Sequence, residues 1–174
     1  TFGHVEGMPR YNAQAFVDAV NQLIVTYPKH VASVMYNLVD SHDTSRLLSL
    51  TEGNIDRFKQ ATLFLFAFPG SPSVFYGDEV GLDGAHDPMN RKPMPWGHFN
   101  EPLKAWFQWL IDWRKNEPAF KSDAIQLSAD GDMIIMDRAS LRLIWNLGPQ
   151  QPFPSDSSYT RIDDDSPDVL ENGY

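Results

Sequence analysis

The sequence predicts an α/β fold in which two helix–strand units are followed by a smaller region of antiparallel strands. Apolar residues recur at helical spacing in two early segments, and a short apolar run follows each of them. After residue 117 the pattern changes to short runs separated by turn residues, which is typical of hairpins. Of the 174 residues, 42% are hydrophobic, so the chain can bury a sizeable core.

The first unit begins with a helix predicted over about residues 13 to 27. Asn12 can cap this helix, and Pro28 closes it. The segment Val31 to Val39 is rich in β-branched and apolar residues, which predicts a fully buried strand of the parallel type. That strand is expected to end in the polar residues 40–44.

The second unit repeats this order. Asn54 can cap a helix that ends at Pro69-Gly70, and Ser73 to Tyr76 predict a short apolar strand followed by the charged residues of 77–79. In parallel barrels the carboxyl ends of the strands carry the active site, so both polar segments are candidate site segments.

A loop of about twenty residues, Val80 to Phe99, follows the second unit. It contains Met89, Met94 and Trp96, and apolar groups of this size need somewhere to pack. We therefore expect an ordered lid or wall.

Asn100 predicts the start of a third helix, which ends near Glu117-Pro118. The antiparallel strands are then expected over Ala124 to Leu127, Met133 to Asp137 and Leu141 to Trp145. The remainder, Pro149 to Pro167, is rich in Pro, Ser and Asp and predicts a loop with one short strand near Tyr159 to Ile162.

Composition excludes several classes of partner. With 14 Lys and Arg against 23 Asp and Glu the net charge is −9, which disfavours binding to nucleic acid or an anionic membrane. No apolar run is long enough to predict a membrane span. The five histidines lack the spacing of a metal site and the chain has no cysteine, so no metal site is predicted. The absence of cysteine favours a cytoplasmic location, with a secreted protein as the alternative because secreted enzymes can also lack cysteine.

His42 and Asp43 form the most informative pair. A carboxylate beside an imidazole at a strand end, faced by an aromatic-bearing loop, suits recognition of a neutral, hydroxyl-rich ligand. The alternative is that Asp43 or Thr44 caps a turn and His42 fills space. A nucleophilic triad of Ser41, His42 and Asp43 is disfavoured because consecutive residues leaving a strand point in different directions.

Three segments carry a resemblance to a known family. Residues 37–46 (NLVDSHDTSR) resemble the fourth signature of the alpha-amylase family of glycoside hydrolases, and residues 71–79 (SPSVFYGDE) resemble its eighth-strand segment. Residues 87–96 (DPMNRKPMPW) are similar to the D-P-x-x-R stretch of the neopullulanase, cyclomaltodextrinase and maltogenic amylase branch.

This resemblance implies the C-terminal portion of a TIM (β/α)8 barrel followed by a small antiparallel β-sandwich. Residues 1–117 would be the last β/α units and residues 118–174 the sandwich domain. A complete barrel takes about 250 residues, so we expect a fragment that lacks the aspartate nucleophile and the glutamate acid/base. Such a fragment is expected to be inactive alone. Either it self-associates through exposed barrel edges or it is only part of the natural polypeptide.

The resemblance also implies roles for four residues. Asp43 would be the catalytic carboxylate that stabilises the oxocarbenium-like transition state without attacking the sugar, and His42 would hydrogen-bond the same ring. Asp87 and Arg91 would bind the non-reducing sugar near the cleavage point, with a surface ion pair as the alternative.

Other residues of the three segments are expected to be structural. Asp78 and Glu79 would orient loops over the site, and Arg46 and Trp96 would belong to the scaffold. The aromatic residues of the third helix suggest a starch-binding platform, but their helical spacing favours core packing. They are Trp106, Phe107, Trp109 and Trp113.

The function implied is retaining hydrolysis of alpha-1,4 glucosidic bonds, with alpha-1,6 bonds as a second candidate, in maltooligosaccharides, pullulan or cyclodextrins. No cofactor is expected; calcium occurs in the family, but no site for it is readable here. The alternative is a non-catalytic carbohydrate-binding or assembly protein on the same fold.

Overall fold

The structure, a computed structural model, describes residues 11–149. No helix in this range is long and apolar enough to cross a membrane. The described residues form five α-helices and five β-strands: α1 Ala13–Thr26, α2 Lys29–Ala32, β1 Tyr36–Asn37, α3 Leu47–Leu50, α4 Ile55–Ala67, β2 Ser71–Pro72, α5 Glu101–Asn116, β3 Gln126–Asp130, β4 Met133–Arg138 and β5 Leu141–Asn146.

The starts of the three long helices confirm the predicted caps. The side-chain oxygens of Asn12, Asn54 and Asn100 each accept a bond from the backbone N–H three residues later, at 2.8, 2.9 and 3.1 Å. Each cap satisfies one N–H that has no partner inside its helix. The three helix starts are therefore fixed by local sequence.

The predicted strand over Val31 to Val39 is wrong over most of its length. Residues Lys29–Ala32 form the helical turn α2, and β1 covers only Tyr36–Asn37. Val34 and Tyr36 are 71% and 70% exposed, so the apolar run is not buried on both faces. A long strand of that kind depends on such burial, and here only two residues pair.

The second strand is also displaced from its predicted position. It covers Ser71–Pro72 instead of Ser73 to Tyr76, and it pairs with β1 in parallel, Tyr36 opposite Ser71. The parallel pairing of two successive strands is thus confirmed.

Gly70 allows the two strands to approach closely. It has φ +106°, and a Cβ at this position would lie 2.5 Å from the side-chain nitrogen of Asn37 and 2.6 Å from the carbonyl oxygen of Met35. Only glycine tolerates both the backbone conformation and the contact. The pairing begins at once after it, because the Ser71 N–H donates to the Met35 carbonyl at 2.7 Å.

The three antiparallel strands confirm the predicted hairpins. The sheet order is β3-β4-β5, with Leu127 opposite Met136 and Ile134 opposite Trp145. The inward-facing side chains of β4 alternate with outer ones, as expected for a sheet that packs on one face. The strand predicted near residues 159–162 lies outside the described residues.

One hydrophobic core joins the sheet to the long helices. Buried residues of α1, α4, α5 and the three antiparallel strands form a single cluster. The Trp145 indole N–H donates to the Gln60 carbonyl at 3.1 Å, which ties β5 to α4. In α5, Phe107 and Trp113 are buried and Trp106 and Trp109 pack against the core, so core packing is confirmed for these aromatic residues.

Two arginines bind the carbonyl groups at the end of α4. Arg138 of β4 donates to the Ala67 carbonyl at 2.7 Å, and Arg114 of α5 donates to the carbonyls of Phe66 at 2.7 Å and Gly70 at 2.7 Å. These carbonyls have no partner within the helix, and positive charge is favourable at a helix C-terminus. The segment that leads into β2 is thereby held by both α5 and the antiparallel sheet.

Candidate functional site

The candidate site lies where the chain leaves β1 and β2. The loop 80–99 is ordered, as predicted, and it contacts both exits. The Arg46 N–H donates to the Gly84 carbonyl at 2.8 Å, the Gly84 N–H to the Ser49 hydroxyl at 2.9 Å, and the Tyr76 hydroxyl to the Lys92 carbonyl at 2.8 Å. These bonds bring the loop against residues 40–46.

The structure brings His42, Asp43, Asp87 and Arg91 together. Asp43 Oδ1 lies 3.3 Å from His42 Nε2 and 3.7 Å from Arg91 Nη2. Arg91 Nε lies 3.2 Å from Asp87 Oδ1, and it also donates to the His42 carbonyl at 3.1 Å. A guanidinium therefore sits between two carboxylates that are far apart in the sequence.

All four of these side chains are exposed. Exposed ion pairs of this kind contribute at most about 1 kcal/mol to stability. The ion pair between Asp87 and Arg91 does exist, but Arg91 also faces Asp43 and so belongs to a larger group. The group offers carboxylate acceptors and guanidinium and imidazole donors at one surface, which is the chemistry needed to hold several hydroxyls.

Asn90 contacts the backbone of this group, and the sequence did not identify it as a site residue. It is buried, and its side-chain N–H groups donate to the carbonyls of His42 at 2.8 Å and Thr44 at 2.7 Å. The available signal was an amide side chain directly before Arg91 in a loop that was expected to be ordered.

Arg46 is fully buried and joins the three segments of the site, in agreement with its expected scaffold role. Its Nε donates to the Asn90 carbonyl at 2.8 Å, and its Nη1 donates to the Tyr76 carbonyl and lies 3.1 Å from Asp78 Oδ1. The guanidinium also stacks over the Phe75 ring, 4.0 Å from its centre.

Asp40 and Asp78 form a buried carboxyl pair beside Arg46. Asp40 accepts a bond from the Leu47 N–H at 2.7 Å, and its carboxyl lies close enough to that of Asp78 for the two to interact. The pKa of Asp78 is raised to about 9, first by burial and then by the neighbouring Asp40, against the opposite effect of Arg46. Asp78 therefore retains its proton at neutral pH. Asp40 was missed because a single aspartate after a strand carries no signal of its partner.

Asp78 and Glu79 have the structural positions expected of them, whereas Trp96 does not. Asp78 is buried, and Glu79 accepts a bond from the Gly77 N–H at 2.7 Å, so both stabilise the turn after β2. Trp96 was expected in the scaffold, and this is wrong: it is 77% exposed, with its ring edge-on to Phe99 at 6.1 Å. It follows Pro95 in an exposed turn, where the loop offers it no buried surface.

Within residues 11–149 no group of three or more His, Asp or Glu side chains is placed to hold a metal ion.

Parallel strands with helices between them, and a polar group where those strands end, place the chain among α/β proteins and are typical of parallel barrels. The sequence profile described as the catalytic domain of alpha amylase matches residues 4–169. The chain belongs to the alpha-amylase family of glycoside hydrolases, and its fold is part of a TIM (β/α)8 barrel with an antiparallel sheet.

Individual relatives agree with this assignment. The chain is 41% identical to a cyclomaltodextrinase from a Bacillus species over 113 residues, which cover 64% of this chain and 20% of the relative. It is 41% identical to neopullulanase 2 of Thermoactinomyces vulgaris over 85 residues, 49% of this chain and 14% of the relative. The structure of a debranching enzyme from Nostoc punctiforme superposes with a TM-score of 0.72 at 33% identity, covering 79% of this chain and 29% of that one. The chain thus spans less than a third of the length of these relatives.

Proposed function

We propose that this chain is part of a retaining alpha-glucan hydrolase and that His42, Asp43, Asp87 and Arg91 bind the sugar at the cleavage point. The observation that carries the proposal is the position of Arg91, whose guanidinium faces Asp43 and contacts Asp87. The substrates proposed are maltooligosaccharides, cyclodextrins or pullulan, with cleavage of alpha-1,4 bonds and alpha-1,6 bonds as a second specificity.

In this proposal Asp43 acts on the ring that is being cleaved. Its carboxylate accepts hydrogen bonds from ring hydroxyls, and its negative charge stabilises the positive charge that develops as the ring flattens. His42 donates to the same ring. Asp87 and Arg91 hold the non-reducing sugar, so that the distortion of the ring is supported by binding to fixed groups.

A retaining mechanism needs a nucleophile and an acid/base in addition to Asp43. We place these two carboxylates in other β/α units of a longer polypeptide, and we expect the 174-residue chain alone to show no turnover. Residues 1–117 would then complete the barrel and residues 118–174 form the C-terminal sheet domain. The location proposed for the whole protein is the cytoplasm, which cell fractionation tests.

Self-association is the proposed behaviour of the isolated chain. Val34, Tyr36 and Leu38 are large, apolar and exposed along the β1 segment. A second copy would remove this surface from water. Sedimentation of the purified 174-residue chain tests the idea: a monomer at all concentrations would contradict it.

The test of the function uses the complete gene product that contains this chain. We expect turnover of cyclodextrin, pullulan or maltooligosaccharides, and a loss of about 100-fold or more in kcat/KM for Asp43→Asn. Asp18→Asn is the matched control, because Asp18 is an exposed aspartate on α1 and accepts a bond only from Gln14 among the contacts described for it. Saturable sugar binding without turnover by the unmodified protein would favour the non-catalytic alternative. Hydrolysis by the 174-residue chain itself would overturn the proposed division of the catalytic residues.

A further inference from the structure

Asn90 is placed so that it determines where Asp43 lies. Its side-chain amide donates to the carbonyls of His42 at 2.8 Å and Thr44 at 2.7 Å, the residues on either side of Asp43. One planar group therefore holds the carbonyl groups of both residues next to Asp43 in the chain. The side chain is almost completely buried, so water does not compete for these bonds.

The amide is itself held in place. Its backbone carbonyl accepts a bond from Arg46 Nε at 2.8 Å, and Arg46 is fully buried and pairs with Asp78. On the other side of the loop, Gly84 lies so close that a Cβ there would be 2.1 Å from the Met89 carbonyl oxygen. The position of Asn90 is thus fixed by contacts before and after it in the chain.

The chemistry of the contact requires donors. Both partners are carbonyl oxygens, and the two N–H donors on the amide nitrogen satisfy them together. Within residues 11–149 no protein group donates to the Asn90 Oδ1 atom. A buried acceptor of this kind adds no stability, so the value of the side chain lies in its two donated bonds.

We infer that Asn90 is a positioning residue that fixes the His42–Thr44 segment, so that Asp43 meets the sugar ring in the orientation needed for catalysis. The inference rests on the proposed function. It assigns Asn90 no contact with substrate, because its two donors are occupied by the carbonyls of His42 and Thr44.

The test is a double-mutant cycle in the complete gene product, with a chromogenic alpha-maltoside as the probe. Asn90→Ala is expected to lower kcat about 10- to 100-fold, as is usual when a supporting residue is removed, with KM changed less than about threefold. If Asn90 acts through Asp43, then Asn90→Ala in the Asp43→Asn background lowers kcat by less than about threefold. Asn21→Ala is the matched control, since Asn21 also donates its amide to a carbonyl, that of Leu127, in the packing between α1 and β3.

The outcomes separate the inference from the function on which it rests. An unchanged kcat in Asn90→Ala overturns the positioning role. So does a double variant whose loss in kcat equals the product of the two single losses, even if Asp43→Asn has very low activity. An unaffected kcat in Asp43→Asn shows instead that the proposed function is wrong. If Asn90→Ala fails to fold, Asn90→Ser is measured instead. Its hydroxyl keeps one donated bond, so we expect a loss in kcat of about 3- to 10-fold. An unchanged kcat in Asn90→Ser overturns the inference.

Discussion

Replacing Asp78 by asparagine tests whether the buried carboxyl pair holds a proton. The pKa of Asp78 is raised to about 9, chiefly by burial and then by Asp40, so at neutral pH its carboxyl is protonated. A protonated carboxyl and an amide have nearly the same shape, and both offer a donor and an acceptor. The amide would donate to Asp40 and accept from Arg46, which lies 3.1 Å from Asp78 Oδ1.

At acidic pH, where the carboxyl is protonated in both the folded and the unfolded chain, the expected cost of Asp78→Asn is therefore within about 1 kcal/mol of unfolding free energy. At pH 7 the unfolded wild type is ionised, so the asparagine variant should be no less stable than wild type. If Asp78 were ionised and paired with Arg46, the same change would break a buried ion pair and cost about 3–5 kcal/mol. Asp78→Ala removes the contacts with Asp40 and Arg46, and we expect a loss of about 1–3 kcal/mol from the groups left unpaired.

The pH dependence gives a second measure of the same proton. Because the pKa of Asp78 is higher in the folded than in the unfolded chain, the folded state binds more protons between the ordinary aspartate pKa of 3.8 and about 9. This contribution to stability is complete below that window and is lost as the pH rises through it, by at most about 1.4 kcal/mol per pH unit. The stability of wild type relative to Asp78→Asn should fall accordingly.

Urea unfolding of both proteins at several pH values between 5 and 8.5 measures this difference. Asp83→Asn is the control, because Asp83 pairs with Lys92 at the surface and its loss costs at most about 1 kcal/mol. A constant difference between wild type and Asp78→Asn across the range, together with a cost above about 3 kcal/mol at pH 7, would refute the shared proton.

Three further changes probe the elements that place the site. Gly84→Ala forces a Cβ to 2.1 Å from the Met89 carbonyl, so we expect a shifted loop and a loss of sugar affinity measured by calorimetry; unchanged affinity would show that the loop is not needed. Arg46→Lys keeps the charge but not the fork that reaches Asn90 and Asp78, and chemical unfolding should show a loss of about 1–3 kcal/mol. Asn54→Ala removes the cap of α4 and should lower stability by about 0.5–2 kcal/mol in the same assay without altering binding.

Local signals in the sequence predicted most of the fold. The caps at Asn12, Asn54 and Asn100 are one-residue signals whose partners lie three residues away, and all three were predicted. The antiparallel strands follow from alternation and from turns that depend on neighbouring residues. Such features need no knowledge of distant contacts, which is why they are readable.

The extent of β1 and β2 was not predictable in the same way. Apolar composition over Val31 to Val39 indicates a buried strand only if other elements cover both faces, and Val34 and Tyr36 are exposed. The position of β2 depends on the close approach of Gly70 to Met35, a contact between residues 35 apart in the chain. The apolar composition of a segment does not indicate such a contact between residues far apart in the chain.

The residues of the site also fall into two groups, those identified from local sequence and those that depend on distant contacts. His42, Asp43, Asp87 and Arg91 were found because they lie in segments that resemble known motifs, and whether they bind sugar remains a prediction. Asn90 was missed because its partners are backbone carbonyl groups. Every residue has such a group, so the sequence does not indicate which of them a side chain contacts.

The arginines at the end of α4 have a consequence for how the molecule opens. Arg138 of β4 and Arg114 of α5 hold the carbonyls that precede β2, and so the sheet cannot separate without releasing the strand that leads to Asp78. The amide protons of β4 and of the last turn of α4 should then exchange with solvent in one cooperative event. A ligand bound near Asp43 would slow that exchange throughout the unit, so protection measured on the sheet would report occupancy of the distant site.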